Sequence, residues 1–176
     1  RFGGTATEYT SGGCFAFIGG GTYGQSRKRI KTINGNLSRI FPYYPNATYY
    51  PKFSQAFREL ENIQYIPATL FADYTVGKEH MFNWAFMGCT GLGTDPSIDY
   101  PVPAGLFQNI VVNQHNTATE IFSGTFYNCS HLNKLPNGLF AGIQEGAMFM
   151  FNSTFEGCSS LTELHAGLFS GLRRSD

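Results

Sequence analysis

Hydrophobic positions recur along this chain in a single arrangement, written four times. Phe53, Ala56, Phe57, Leu60, Ile63, Ile66, Leu70 and Phe71 come first, followed by Phe82, Ala85, Phe86, Cys89 and Leu92. The third copy holds Phe122, Thr125, Phe126, Cys129, Leu132, Leu135, Leu139 and Phe140, and the fourth Phe151, Thr154, Phe155, Cys158, Leu161, Leu164, Leu168 and Phe169. The shared pattern is F-x-x-[TA]-F-x-x-[CL]-x-x-L-x-x-[LI]-P-x-G-L-F-x-G-[IL]. Repetition of this kind predicts a solenoid, because one unit can bury its apolar face only against the next.

Spacing inside one copy predicts its elements. Phe151, Thr154, Phe155 and Cys158 follow the i, i+3, i+4, i+7 rule of one helical face, as do Phe122, Thr125, Phe126 and Cys129. A helix of two turns is expected there. Leu161 and Leu164 lie three apart, and the equivalent pair is followed by Pro in other copies. Proline pushes its predecessor to extended backbone, so this stretch predicts a short strand that Pro ends. The Pro-x-Gly-Leu-Phe-x-Gly segment then predicts a single helical turn, with Pro at its start and Gly near its end. The expected fold class is therefore α/β: a leucine-rich-repeat-like solenoid with short parallel strands and short helical turns.

The period locates the loops. Phe57 to Phe86 and Phe126 to Phe155 each span 29 residues, whereas Phe86 to Phe126 spans 40. Seven extra residues are Asp95–Pro101, and four more fall after Ile110, in the polar stretch running to Thr119. Insertions at the corner of a coil loop outward and leave the stacked positions in register. Residues 1–50 differ: Gly, Thr and aromatics alternate in short runs that favour strands and tight turns. Ile30, Ile33, Leu37, Ile40 and Phe41 resemble a degenerate repeat. The division expected is 1–50, a β-rich N-terminal cap or the end of a preceding β domain, and 51–176, a solenoid of four visible repeats. No polar capping unit follows Leu172, which suggests a piece of a longer array and invites end-to-end self-association.

The cores Thr125-Phe-Tyr-Asn-Cys-Ser-His-Leu132 and Thr154-Phe-Glu-Gly-Cys-Ser-Ser-Leu161 resemble the BspA-like class of leucine-rich repeat, over roughly residues 50 to 172. That class is typical of bacterial surface proteins and of some protist surface antigens. The resemblance implies a secreted or surface-anchored chain, extracellular in location, whose repeats bind or present something and catalyse nothing themselves.

Charge adds little steering. Lys+Arg and Asp+Glu are equal at 12 each, so no net field draws the chain to nucleic acid or to an anionic membrane. No apolar run approaches the roughly 20 residues of a membrane span. The basic cluster Arg27-Lys-Arg-Ile-Lys31 reads as a solvated loop. Cys89, Cys129 and Cys158 share one repeat position and should stack as buried free thiols, with one disulfide or a metal as the lesser alternatives. Asp95 and Asp99 in the inserted loop are a minor candidate for calcium. The sequons at Asn36, Asn46, Asn128 and Asn152 include two, Asn128 and Asn152, expected on core-forming helices.

No H-E-x-x-H pair, G-x-S-x-G elbow or P-loop is present, so the chain reads as a non-enzyme without cofactors. Ligand contact is expected along the strand positions between apolar anchors: Gln64, Tyr65, Asn133, Lys134, Thr162 and Glu163. Tyr100 in the inserted loop is the other candidate. The expected function is adhesion or binding of a protein or glycan from a host or neighbouring cell. The alternative is a structural spacer within a larger surface protein.

Overall fold

The computed structural model describes residues 29–41, 50–112 and 119–172. The repeats do stack, but the elements expected within them do not form. Among the described residues there is no α-helix, and helical backbone is limited to three short 3₁₀ turns, Leu37–Arg39, Ala104–Leu106 and Ala166–Phe169. Strand pairing is limited to two isolated parallel bridges, Val76 with Val111 and Val112 with Ile143. The α/β solenoid of short parallel strands and helices is therefore corrected to a stack of turns and irregular segments.

The reason lies in where the amide protons go. In residues 120–129, every second N–H bonds three residues back, as Thr125 to Phe122 and Cys129 to Phe126 do. The intervening N–H groups leave the coil: Phe122 donates to Met150, Gly124 to Asn152 and Phe126 to Thr154. The same alternation runs through 80–89, where Phe82, Trp84 and Phe86 donate to Ile121, Ser123 and Thr125. An α-helix would consume every N–H internally. Overlapping turns leave half of them to join the next coil.

This ribbon repeats every four residues, with one residue in each period at positive φ. Trp84 (56°), Gly88 (71°), Gly124 (60°), Asn128 (56°), Ser153 (53°) and Gly157 (76°) occupy it. Gly or Asn thus precedes Cys89, Cys129 and Cys158 because left-handed backbone is needed there. A four-residue period also buries Phe122, Thr125, Phe126 and Cys129 together, as a helical face would. Ring spacing separates the two. Successive coils place Phe57, Phe86, Phe126 and Phe155 in parallel stacks with centroids 5.0, 5.6 and 5.7 Å apart. Packed helices keep their axes 8–10 Å apart, too far for such a ladder.

Two further ladders complete the core. Phe53, Phe82, Phe122 and Phe151 stack at 6.0, 5.6 and 5.5 Å, and Phe71, Phe107, Phe140 and Phe169 at 5.9, 5.8 and 5.5 Å. The last two ladders meet edge to face, with Phe107 4.9 Å from Phe122 and Phe140 4.8 Å from Phe151. Such tilted contacts match the aromatic quadrupole better than face-to-face pairs. Twelve of the 17 phenylalanines are thereby structural.

The segments 63–67, 132–136 and 161–165 have no regular secondary structure and make no ladder with one another. Pro67 and Pro136 lack an N–H, and the seven-residue insertion Asp95–Pro101 interrupts the matching segment of the second copy. Ile66 instead donates to Pro101 at 2.9 Å. The Pro-x-Gly-Leu-Phe segment is a 3₁₀ turn in the second copy, with Pro103 one residue outside it as the N-cap. Its closing glycine serves close approach, not a helix C-cap. A Cβ on Gly142 would lie 2.7 Å from the Gln108 carbonyl oxygen and nearer still to that of Ile110.

Of the expected N-terminal cap, residues 1–28 and 42–49 lie outside the described residues. Within 29–41 the chain forms the 3₁₀ turn Leu37–Arg39 and not a strand. This segment lies against the first coil: the Leu37 N–H donates to Leu70, and the Tyr74 hydroxyl donates to the Phe41 carbonyl. Asn36 and Ser38 both donate to the Asp73 carboxylate.

Candidate functional site

The third and fourth coils frame a groove of about 280 Å³ lined by Asn133, Lys134, Leu135, Ser160, Thr162, Glu163 and His165. Its polar members other than Ser160 lie in the segments 132–136 and 161–165, where Leu132 and Leu135 are buried and the residues between them face water. Asn133, Lys134, Thr162 and Glu163, expected from the sequence, are all exposed and line it together.

The inserted loop folds down to the same place. Lys134 Nζ pairs with Asp99 at 2.7 Å, which sets Tyr100, itself 43% exposed, beside the groove. The hydrogen bond and charge of Asp99 raise the Lys134 ammonium above its ordinary range. On the opposite wall His165 Nδ1 lies 3.4 Å from the Glu163 carboxylate. The groove therefore offers a cation–carboxylate pair on one side, an imidazole–carboxylate pair on the other, and Ser, Thr and Asn groups between. Such a set can hydrogen-bond hydroxyls, amides or carboxylates.

Gln64 and Tyr65 do not line this groove. Gln64 is exposed in the first coil, and the Tyr65 hydroxyl donates to Asn34 at 3.4 Å, tying that side chain to the preceding segment. Ser160 and His165 were not expected as site residues, and Asp99 was expected only as a minor candidate for calcium. The signals were present: His165 stands where other copies carry Pro, and Asp99 adjoins Tyr100 in the insertion.

The carboxylates considered for calcium are otherwise engaged. Asp95 accepts from both the backbone and the hydroxyl of Ser97, which hold its carboxyl below the usual range, and Asp99 faces Lys134. Among the described residues no three His, Cys, Asp or Glu side chains gather as metal ligands. None of the described helices is long and apolar enough to cross a membrane. Asn128 and Asn152, expected on core helices, are instead exposed on turns; Asn46 lies outside the described residues.

Cys89, Cys129 and Cys158 are free and buried; Cys14 lies outside the described residues. Each thiol donates to a carbonyl of the preceding coil: Cys89 to Phe57, Cys129 to Phe86 and Cys158 to Phe126, at 3.1–3.2 Å. Burial pushes Cys89 up to about 12 and Cys158 up to about 11, from an ordinary value of 9.0. Cys129 is raised too, first by burial and then by its two neighbouring thiols. A proton held more tightly in the folded state stabilises the fold fully below the unfolded pKa. That stability is lost as pH climbs from 9.0 through about 11 and about 12. The urea midpoint should accordingly stay level from about pH 7 to 8.5 and fall by pH 10, while a Cys89→Ser variant declines less. At about pH 8, iodoacetamide should modify native Cys158 faster than Cys89, because Cys158 is 7% exposed and Cys89 is wholly buried. Equal rates, read by peptide mass mapping, would contradict the gradient of burial along the ladder.

Comparison with protein-family models, with curated proteins and with solved structures found no match for this chain.

Proposed function

We propose that this chain is a non-catalytic binding module of a secreted or cell-surface protein, engaging an extended protein or glycan partner along the groove between its third and fourth coils. One observation carries the reading: the Lys134–Asp99 pair joins the inserted loop to the polar row of the repeats. Tyr100, Asn133, Lys134, Thr162 and Glu163, scattered in sequence, then share one surface. The backbone beneath is held by ring ladders, so its side chains are presented with little loss of freedom on binding. The resemblance of the Thr-Phe-x-[Gly/Asn]-Cys-Ser cores to BspA-like repeats points the same way, towards adhesion outside the cell. A spacer role is the second reading, and the three unbroken aromatic ladders favour it, because they make the stack stiff along its length.

The test is a binding screen of the immobilised chain against glycans and extracellular-matrix proteins. Lys134→Ala and Glu163→Ala should each weaken a saturable hit about tenfold, the cost expected on losing one charged contact. Gln64→Ala should leave it unchanged. Failure to find any ligand with folded protein would favour the spacer reading. A hit indifferent to Lys134 and Glu163 would move the site elsewhere.

A further inference from the structure

On the outer edge of the ribbon, side chains of one coil lie over glycines of the next. A Cβ on Gly88 would sit 3.2 Å from Glu59 Cγ, and one on Gly157 would strike the Asn128 side chain. At Gly124 the neighbour is an indole: a Cβ there would lie 2.9–3.1 Å from Trp84 Cδ2, Cε2 and Cε3. Three ring atoms at nearly equal distance mean that the indole lies flat on the backbone of the third coil. Tyr127 of that coil packs beside it, with ring centroids 5.2 Å and planes 49° apart.

The packing of the stack does not account for this residue. Trp84 is the chain's one tryptophan, and the three phenylalanine ladders pass it by. The equivalent positions hold Gln55, Gly124 and Ser153, at φ of 59°, 60° and 53°, so the same backbone forms without an aromatic ring. One face of the indole rests on Gly124 while the residue stays partly exposed, which leaves the opposite face to solvent. Tyr127 is partly exposed beside it. The result is an aromatic shelf on the flank of the second and third coils.

The polar groups round the shelf select its ligand. On the first-coil side Arg58 is engaged by Glu59 at 2.8 Å and by Gln55 at 3.2 Å, so its charge is already answered. On the other side the Asn128 amide and the Glu156 carboxylate are exposed, and neither side chain has a hydrogen-bond partner among the described residues. An anion would meet the carboxylate and no free cation on this edge. An apolar protein side chain anchors best in a pocket, and the shelf is flat. We propose that Trp84 and Tyr127 bind a β-linked hexopyranose of an uncharged glycan, its C–H face on the indole and its hydroxyls on Asn128 and Glu156. Such a sugar, with equatorial substituents, is apolar on its faces and polar round its rim, the complement of a flat ring edged by hydrogen-bonding groups. The shelf shares no residue with the polar groove and does not rest on that reading.

The experiment titrates cellotetraose, and in parallel a tetramer of β-linked N-acetylglucosamine, into the intact chain. It reads Trp84 emission together with saturation-transfer NMR of the sugar. Because the chain has one tryptophan, its emission reports this site alone. A saturable change with a midpoint in roughly the millimolar range is expected for an open shelf. Saturation should favour the axial protons of one sugar face over those of the other. Trp84→Gln, which puts in the second coil what the first carries at that place, should weaken binding roughly tenfold by NMR, with a cooperative urea transition showing it folded. Tyr127→Ala keeps the reporter and should weaken binding less. Lys134→Ala, in the groove, should leave both readouts unchanged. No response by folded protein to either sugar, at roughly ten times the expected midpoint, overturns the proposal. So does a response that survives Trp84→Gln, or one lost in Lys134→Ala, because either places the sugar elsewhere. A change in emission with a deglycosylated matrix protein and with neither sugar would assign the shelf to protein, and overturns it too.

Discussion

Replacing Phe122 by Ala should lower the unfolding free energy by about 3–5 kcal/mol, the range for truncating a fully buried aromatic side chain. Phe122 stacks between Phe82 and Phe151 and is met on its edge by Phe107 and Phe140, with centroids 4.8–5.6 Å away. Its side chain is wholly buried. The void would open at the crossing of two ladders, where flattened coils joined by backbone hydrogen bonds cannot close in on it. Phe155→Ala removes the same group from a half-buried position, where among the described residues one ring face has no stacked neighbour. About 1–2 kcal/mol is expected there, since less apolar area returns to water. Urea unfolding of both variants measures the contrast. Equal losses would mean that Phe155 is as deeply packed as Phe122, against the stack described above. The larger loss is a big fraction of the 5–15 kcal/mol that typically holds a domain together.

Gly142→Ala should be nearly as costly, by about 2–4 kcal/mol, although it adds only a methyl group. The added Cβ would press into the carbonyl oxygens of Gln108 and Ile110 in the coil before it. Those oxygens belong to backbone, so neither can turn aside as a side-chain end would. The two coils would have to separate, stretching the ring stack of Phe107 on Phe140 and the Val112–Ile143 bridge. Gly146→Ala is the control, because a Cβ there meets nothing within 4 Å. With ordinary backbone at that position, a gain of about 0.4–1 kcal/mol is expected from the stiffer unfolded chain. Thermal or urea midpoints for the pair decide the matter. Comparable, small effects would show that the closing glycine is a matter of local conformation and not of coil-to-coil approach.

Both predictions bear on why the elements were harder to read than the repeat. Phe122, Thr125, Phe126 and Cys129 share one face whether the backbone is a helix or a ribbon of turns with a four-residue period. Side-chain spacing does not distinguish the two. Gly88, Asn128 and Gly157 before the cysteines carried the missing hint, since a left-handed residue in each copy is foreign to a helix. The strand reading failed for a different reason. Proline favours extended backbone locally at Leu132–Pro136, but a sheet needs paired N–H and C=O groups in the neighbouring coil, and the insertion at Asp95–Pro101 and the prolines deny them.

What the sequence by itself determined is the periodicity: which side chains repeat, that Phe and Cys form inward columns, where the insertions fall, and which polar residues alternate with the apolar anchors. Those follow from spacing along one chain. Only the tertiary structure decided the form of the coil, because each alternate amide chooses between a carbonyl three residues back and one in the next coil. It also decided the site. Lys134 and Asp99 are 35 residues apart, and only the fold, which no local pattern announces, brings them together with the inserted loop beside the groove.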